Sequence, residues 1–106
     1  MQIQVKTDNN IDGHGDFTSR VRDVVENALS RFGGQITRIE IHLSDLNGGK
    51  AGKNDKRCVT EARLEGRQPF AVTDHGDTVD QAVDGATEKL VRSIDSTIER
   101  MRAREG

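Results

Sequence analysis

The sequence predicts a single α+β domain over residues 1–106, of order β-α-β-β-β-α, with both helices on one face of a four-stranded sheet. Three observations lead there. Apolar residues alternate in four short runs and recur at helical spacing in two longer ones. Hydrophobic residues make up only 32 %, with no Trp or Tyr and 3 Phe, so the core is modest and built mainly from Val, Ile, Leu and Ala. Half-apolar strands and one-sided helices are satisfied together when a sheet carries its helices on one face and leaves the other to water.

The first strand is MQIQVKT, in which Met1, Ile3 and Val5 alternate with Gln2, Gln4 and Lys6. A turn-rich link, DNNIDGHGD, leads to a helix over about 14–32, whose apolar stripe is Val21, Val24, Val25, Ala28, Leu29 and Phe32. Asp12 or Asp16 serves as its cap, and Gly33-Gly34 ends it. The second strand, ITRIEIHLS, points Ile39, Ile41 and Leu43 inward and Arg38, Glu40 and His42 outward. KRCVTEARLE alternates again, with Cys58, Thr60, Ala62 and Leu64 opposite Arg57, Glu61, Arg63 and Glu65. GRQ is a short turn, and PFAVTD is a fourth strand with Pro69 at its start. Thr78 caps a long helix over about 78–103, whose apolar face is Val79, Ala82, Val83, Ala86, Leu90, Ile94 and Met101. The two hairpins are antiparallel, and the first strand-helix-strand unit fits a parallel crossover.

Composition bounds the function. A single cysteine, Cys58, forbids an internal disulfide, and its apolar phase makes it a small core residue. No apolar run approaches the ~20 residues that span a bilayer, and the N-terminus has no secretory pattern, so a soluble cytoplasmic protein is expected. With a net charge of −2, binding to nucleic acid requires a local basic face. His14, His42 and His75 lie on different elements without shared spacing, and no nucleophile-base pair, paired carboxylates or metal-ligand spacing is present. Neither an enzyme nor a cofactor, metal or small-molecule site is expected.

Two motifs come close and fail. NGGKAGKNDKRC places Gly52-Lys53 where a phosphate-binding loop has its Gly-Lys pair, but Asn47 and Asn54 occupy the first-glycine and hydroxyl positions, and a strand follows. What survives is a basic hairpin loop in which Lys50, Lys53, Lys56 and Arg57 outnumber Asp45 and Asp55. Asp8, Asn10, Asp12 and Gly13 match half of a calcium loop, but Ser19 stands where the bidentate Glu belongs, so a turn and helix cap is the plainer reading.

The long helix says more. Lys89, Arg92, Ser96 and Arg100 fall within about 80° on one flank of its apolar stripe, while Asp84, Glu88, Asp95 and Glu99 lie on the far side. In the first helix Arg20 and Arg31 share a flank with Asn27. Charge sorting of this kind serves phosphate contacts, but it also arises from the helix dipole and from i,i+4 pairing such as Glu88 with Arg92, and the sequence leaves both open.

The segments MQIQVKTDN, RFGGQITRIEIHLSDLNG, DKRCVTEARLEGRQPFAV and above all DQAVDGATEKLVRSID resemble the ribosome hibernation promoting factor family, which includes the ribosome-associated inhibitors and the sigma-54 modulation proteins. The likeness covers nearly the whole chain, and Ala82, Asp84, Lys89, Leu90, Arg92 and Ile94 match that family's second helix. The resemblance implies a fold akin to a double-stranded-RNA-binding domain with an added strand, in a short form. It implies a translation inhibitor or hibernation factor that binds small-subunit ribosomal RNA in the cleft for messenger and transfer RNA. The residues expected at the RNA are Lys89, Arg92 and Arg100, with Arg20, Arg31, Lys56 and Arg57 as secondary contacts. The rival expectation is a protein-interaction module that uses the exposed sheet face, with Arg38, Glu40, Arg63 and Glu65, and binds no RNA.

Overall fold

The structure is a computed structural model and describes residues 1–8, 11, 15–46 and 54–105. In chain order the elements are β1 (Gln2–Thr7), α1 (Gly15–Leu29), a 3-10 stretch (Ser30–Gln35), β2 (Ile36–Asp45), β3 (Lys56–Leu64), β4 (Phe70–Gly76) and α2 (Val79–Glu105). The expected β-α-β-β-β-α order is present. The strands lie in the order β1-β2-β3-β4, with β1 parallel to β2 and the two hairpins antiparallel.

The register shows why the alternation reads as it does. Ile3 sits beside Ile39, Ile39 beside Ala62, and Ala62 beside Phe70, so one face of the sheet is apolar from edge to edge. That face meets Val21, Val25 and Leu29 of α1 and Ala82, Val83, Ala86, Leu90 and Ile94 of α2. Leu29, Ile39, Ile41, Leu90 and Ile94 are completely shielded from water. Burial of each such side chain contributes about 2 kcal/mol, which is how a core with so few aromatic residues suffices. Cys58 is buried within it with its Sγ 3.4 Å from Thr60 Oγ1, and burial raises its thiol pKa.

Two ends, both of α1, differ from expectation. The α-helical part of α1 stops at Leu29, and Phe32 reaches the core from the 3-10 stretch instead. Asp16 lies within the first turn of α1 rather than ahead of it, where it complements the positive end of the helix dipole; Asp12, the other expected cap, lies outside the described residues. Thr78 caps α2 as expected. Gln81 N donates to Thr78 Oγ1 at 3.1 Å, and Gln81 Oε1 accepts from Thr78 N at 3.3 Å and from Asp77 N at 3.0 Å, a reciprocal capping box.

The two helices are tied across their outer faces. Arg20 pairs with Asp80 at 3.3 Å and Arg31 with Asp95 at 2.6 Å, while their guanidinium groups lie over the rings of Phe17 and Phe32. At 27 residues α2 runs about 40 Å and outreaches the sheet at its C-terminal end. No helix among the described residues is long and apolar enough to cross a membrane, and none of their His, Cys, Asp and Glu side chains group as a metal site would need.

Candidate nucleic-acid interface

The fold separates the cations that the sequence groups together. Lys89 points its ammonium at β4, where Nζ donates to Thr73 O at 2.9 Å and lies 3.4 Å from Asp74 Oδ1. Asp74 fits there because residue 85 is glycine: a Cβ at Gly85 would overlap Asp74 Oδ2 and come 2.8 Å from its Cγ. The carboxylate also accepts from His75 N at 2.9 Å. That backbone bond, and then the Lys89 ammonium, hold the Asp74 pKa below the usual carboxylate range.

Lys56 is also engaged. Its Nζ lies 2.9 Å from Asp55 Oδ1 and 3.4 Å from Asp45 Oδ2, both carboxylates being buried. Asp55 first, and Asp45 with it, hold the ammonium above the usual lysine range. This cluster lies where β2 ends and β3 begins, at the loop end of the hairpin. Lys50 and Lys53 of the basic loop lie outside the described residues, as do Asn10, Asp12 and Gly13 of the calcium motif. Asp8, the remaining member of that motif, uses its carboxylate to accept from Asp45 N at 3.2 Å. Arg57 donates to Ser44 Oγ at 3.2 Å. Arg20 and Arg31 are bound to α2 acids as described above.

Arg92 and Arg100 behave differently. Arg92 is three-quarters exposed, and its only ion pair among the described residues is a 3.7 Å contact to the equally exposed Glu88. Such an exposed pair is worth well under about 1 kcal/mol and gives way to a stronger anion. Arg100 donates to Thr97 Oγ1 at 3.3 Å and forms no ion pair among the described residues. Both line an open groove between the C-terminal half of α2 and the β3-β4 turn. The opposite wall carries two arginines that the sequence reading left out of the site, Arg63 at the end of β3 and Arg67 in the turn. Among the described residues neither forms an ion pair. Glu65 is the one acid lining the groove, against four arginines.

Local structure builds both walls. A bulge between Ile36 and Arg38 displaces Thr37, whose Oγ1 bonds Arg63 O at 3.0 Å and fixes the strand end. The turn closes with Arg67 N donating to Leu64 O at 3.1 Å, and passes through Gly66 at φ 74°, a left-handed conformation that a side chain would strain. On the α2 wall, Ser93, Ser96 and Thr97 present hydroxyls between the arginines, and Leu64 and Phe70 contribute apolar surface to the lining. The sequence carried a signal for this half: Arg63 is on the outward phase of β3 and Arg67 sits in the turn. The docking of α2 against β3 and β4 brings Arg92 and Arg100 to the same groove.

The open sheet face, the expected partner surface of the rival reading, is largely self-satisfied at its β1-β2 side. Glu40 takes Arg38 at 2.8 Å and Lys6 at 3.6 Å, and Arg38 also reaches Gln4 Oε1 at 2.8 Å. The Arg38 hydrogen bond is the main cause of the lowered Glu40 pKa.

A family model described as sigma 54 modulation protein / S30EA ribosomal protein matches residues 7–102. Among solved structures, a ribosomal subunit interface protein from Coxiella burnetii superposes with a TM-score of 0.69 at 20 % identity, covering 93 % of this chain and 99 % of that one. The N-terminal domain of Protein Y from Thermus thermophilus superposes with a TM-score of 0.67 at 17 % identity, covering 91 % and 94 %. A search of curated protein sequences found no significant match.

Proposed function

The chain belongs to the sigma 54 modulation protein / S30EA ribosomal protein family, and from that premise we propose that it is a ribosome hibernation factor. It acts in the cytoplasm, without catalysis, by holding ribosomal RNA of the small subunit in the cleft used by messenger and transfer RNA. The names of the two structural neighbours, a ribosomal subunit interface protein and Protein Y, agree with a ribosomal partner.

The observation that carries the RNA part is the cationic groove. Arg92 and Arg100 face Arg63 and Arg67 across a cleft with one acid, in a chain whose net charge is negative. Concentrating positive charge in one place is what phosphate binding requires of an acidic protein, because each phosphate contact releases condensed counterions. Lys89, Arg20, Arg31 and Lys56 are held by the protein's own acids, so the reading leans on Arg92 and Arg100. The others contribute only if those internal pairs exchange for phosphate.

Cosedimentation with small ribosomal subunits over a salt series tests the proposal. The wild type is expected to pellet at low salt and to lose affinity steeply, with a log-log slope of about −3 for four phosphate contacts. Arg92→Glu/Arg100→Glu is expected to abolish pelleting. Failure of the wild type to pellet at low salt overturns the reading. Unchanged pelleting of the double variant removes the groove from it.

A further inference from the structure

We infer that the groove between α2 and the β3-β4 turn takes an unpaired RNA strand, with a base laid against the exposed part of Phe70, rather than the side of an RNA duplex. The inference rests on the reading of this groove as the RNA site, and it specifies the form of RNA.

The argument begins with what lies between the arginines. Were the groove built for a duplex, its contacts would be to phosphates and 2′-hydroxyls on the outside of a rod, and polar side chains alone would serve. Here the groove is lined not by polar side chains alone but also by the half-buried Phe70, at the first position of β4, with the buried Leu64 behind the lining. Phe70 belongs to the core-facing phase of the sheet, opposite Ala62. It packs against the core and still contributes to the lining of the groove. An aromatic ring there is reachable by a base only if that base is out of a stack. A duplex keeps its bases inside, and would leave this apolar surface without a partner.

An unpaired strand matches all three kinds of lining. Its phosphates meet Arg92 and Arg100 on one side and Arg63 and Arg67 on the other. Its base finds the exposed part of the Phe70 ring and flanking guanidinium planes, both of which stack on any nucleobase. Its 2′-hydroxyls and base edges meet the hydroxyls of Ser93, Ser96, Thr97 and Thr37. A stacked base is tolerant of sequence, so this geometry gives strand-form selectivity without strong base selectivity.

The test measures binding of the intact protein by fluorescence anisotropy at low salt. The probes are an RNA of about 12 nucleotides, and the same strand annealed to its complement. The single strand is expected to bind at least about fivefold more tightly than the duplex, from the stacking it alone can make. Phe70→Leu keeps the apolar volume and removes the ring; it is expected to weaken the single strand about fivefold and leave the duplex unchanged. Arg63→Gln/Arg67→Gln is expected to weaken the single strand about tenfold, and circular dichroism of each variant confirms that it is folded. Equal or tighter duplex binding, no detectable single-strand binding, or an unaffected Phe70→Leu overturns the inference. Small-subunit cosedimentation of the same preparations separates the two levels. A wild type that pellets but shows no strand preference sinks this inference alone, whereas one that does not pellet sinks the functional reading beneath it.

Discussion

Replacing Gly85 by alanine should destabilise the protein, although alanine is the better helix former. In an exposed helix interior the change gains about 1 kcal/mol. At position 85 the new methyl would overlap Asp74 Oδ2, so the carboxylate has to swing away. It then loses the bond from His75 N at 2.9 Å and the Lys89 contact at 3.4 Å. A hydrogen bond to a charged group is worth about 1.5 kcal/mol or more, and a partly exposed ion pair adds a few tenths up to about 1 kcal/mol. The loss of about 2 kcal/mol outweighs the gain, leaving Gly85→Ala less stable by about 1 kcal/mol. Asp74→Ala alone should lose about 2 kcal/mol. With the carboxylate gone, Gly85→Ala recovers its ordinary helix gain, so the double variant should be about 1 kcal/mol more stable than Asp74→Ala. The coupling between the two sites is then about 2 kcal/mol, typical of residues in direct contact. Urea unfolding followed by far-ultraviolet circular dichroism reads it, since the chain has neither Trp nor Tyr for fluorescence. A Gly85→Ala variant that is stabilised by the full helix gain with Asp74 in place would refute the reasoning.

Two further outcomes follow from the same end of α2. Thr78→Ala removes the hydroxyl half of the capping box and should cost about 1 kcal/mol in urea unfolding, with Thr78→Ser nearly neutral; an unchanged midpoint for the alanine variant would show that Gln81 alone satisfies the helix start. Asp74 has a folded pKa depressed mainly by the His75 backbone bond and then by Lys89, so its contribution is present above the unfolded value of about 3.9 and is lost as pH falls through the lower folded value. Between about pH 5 and pH 2 the wild type should therefore lose more stability than Asp74→Asn, and parallel curves for the two proteins would contradict this assignment.

The fold was legible in the sequence and the interface only partly so, for reasons that differ in range. Strand phase is a local property: Ile39, Ile41 and Leu43 announce their face by alternation, and the register of β1 with β2 and β3 follows from keeping every such residue on one side. The capping box at Thr78 and Gln81 is local too, being contained within four residues. The end of α1 was missed because helical spacing carries Phe32 onto the same stripe, and a 3-10 stretch delivers it to the core equally well. Charge does not behave like this. Lys89 and Arg92 are three residues apart and look equivalent on a helical projection. One is spent on Asp74, which is distant in sequence, and the other is left beside a replaceable exposed partner. Arg20 and Arg31 share a flank as the sequence says, but that flank turns to Asp80 and Asp95 of the other helix, so their sorting serves the joining of α1 to α2. Arg63 reads from the sequence as part of the exposed sheet face and Arg67 as part of a turn, and the two become one wall of a groove through the docking of α2. Whether a cation is available is decided by which acids the tertiary structure brings within reach, which no periodicity along the chain encodes. For this reason the reading of a nucleic-acid interface rests on arginines without a strong internal partner, Arg92 and Arg100 with Arg63 and Arg67 across the groove, and not on the whole cationic stripe that helical spacing groups together.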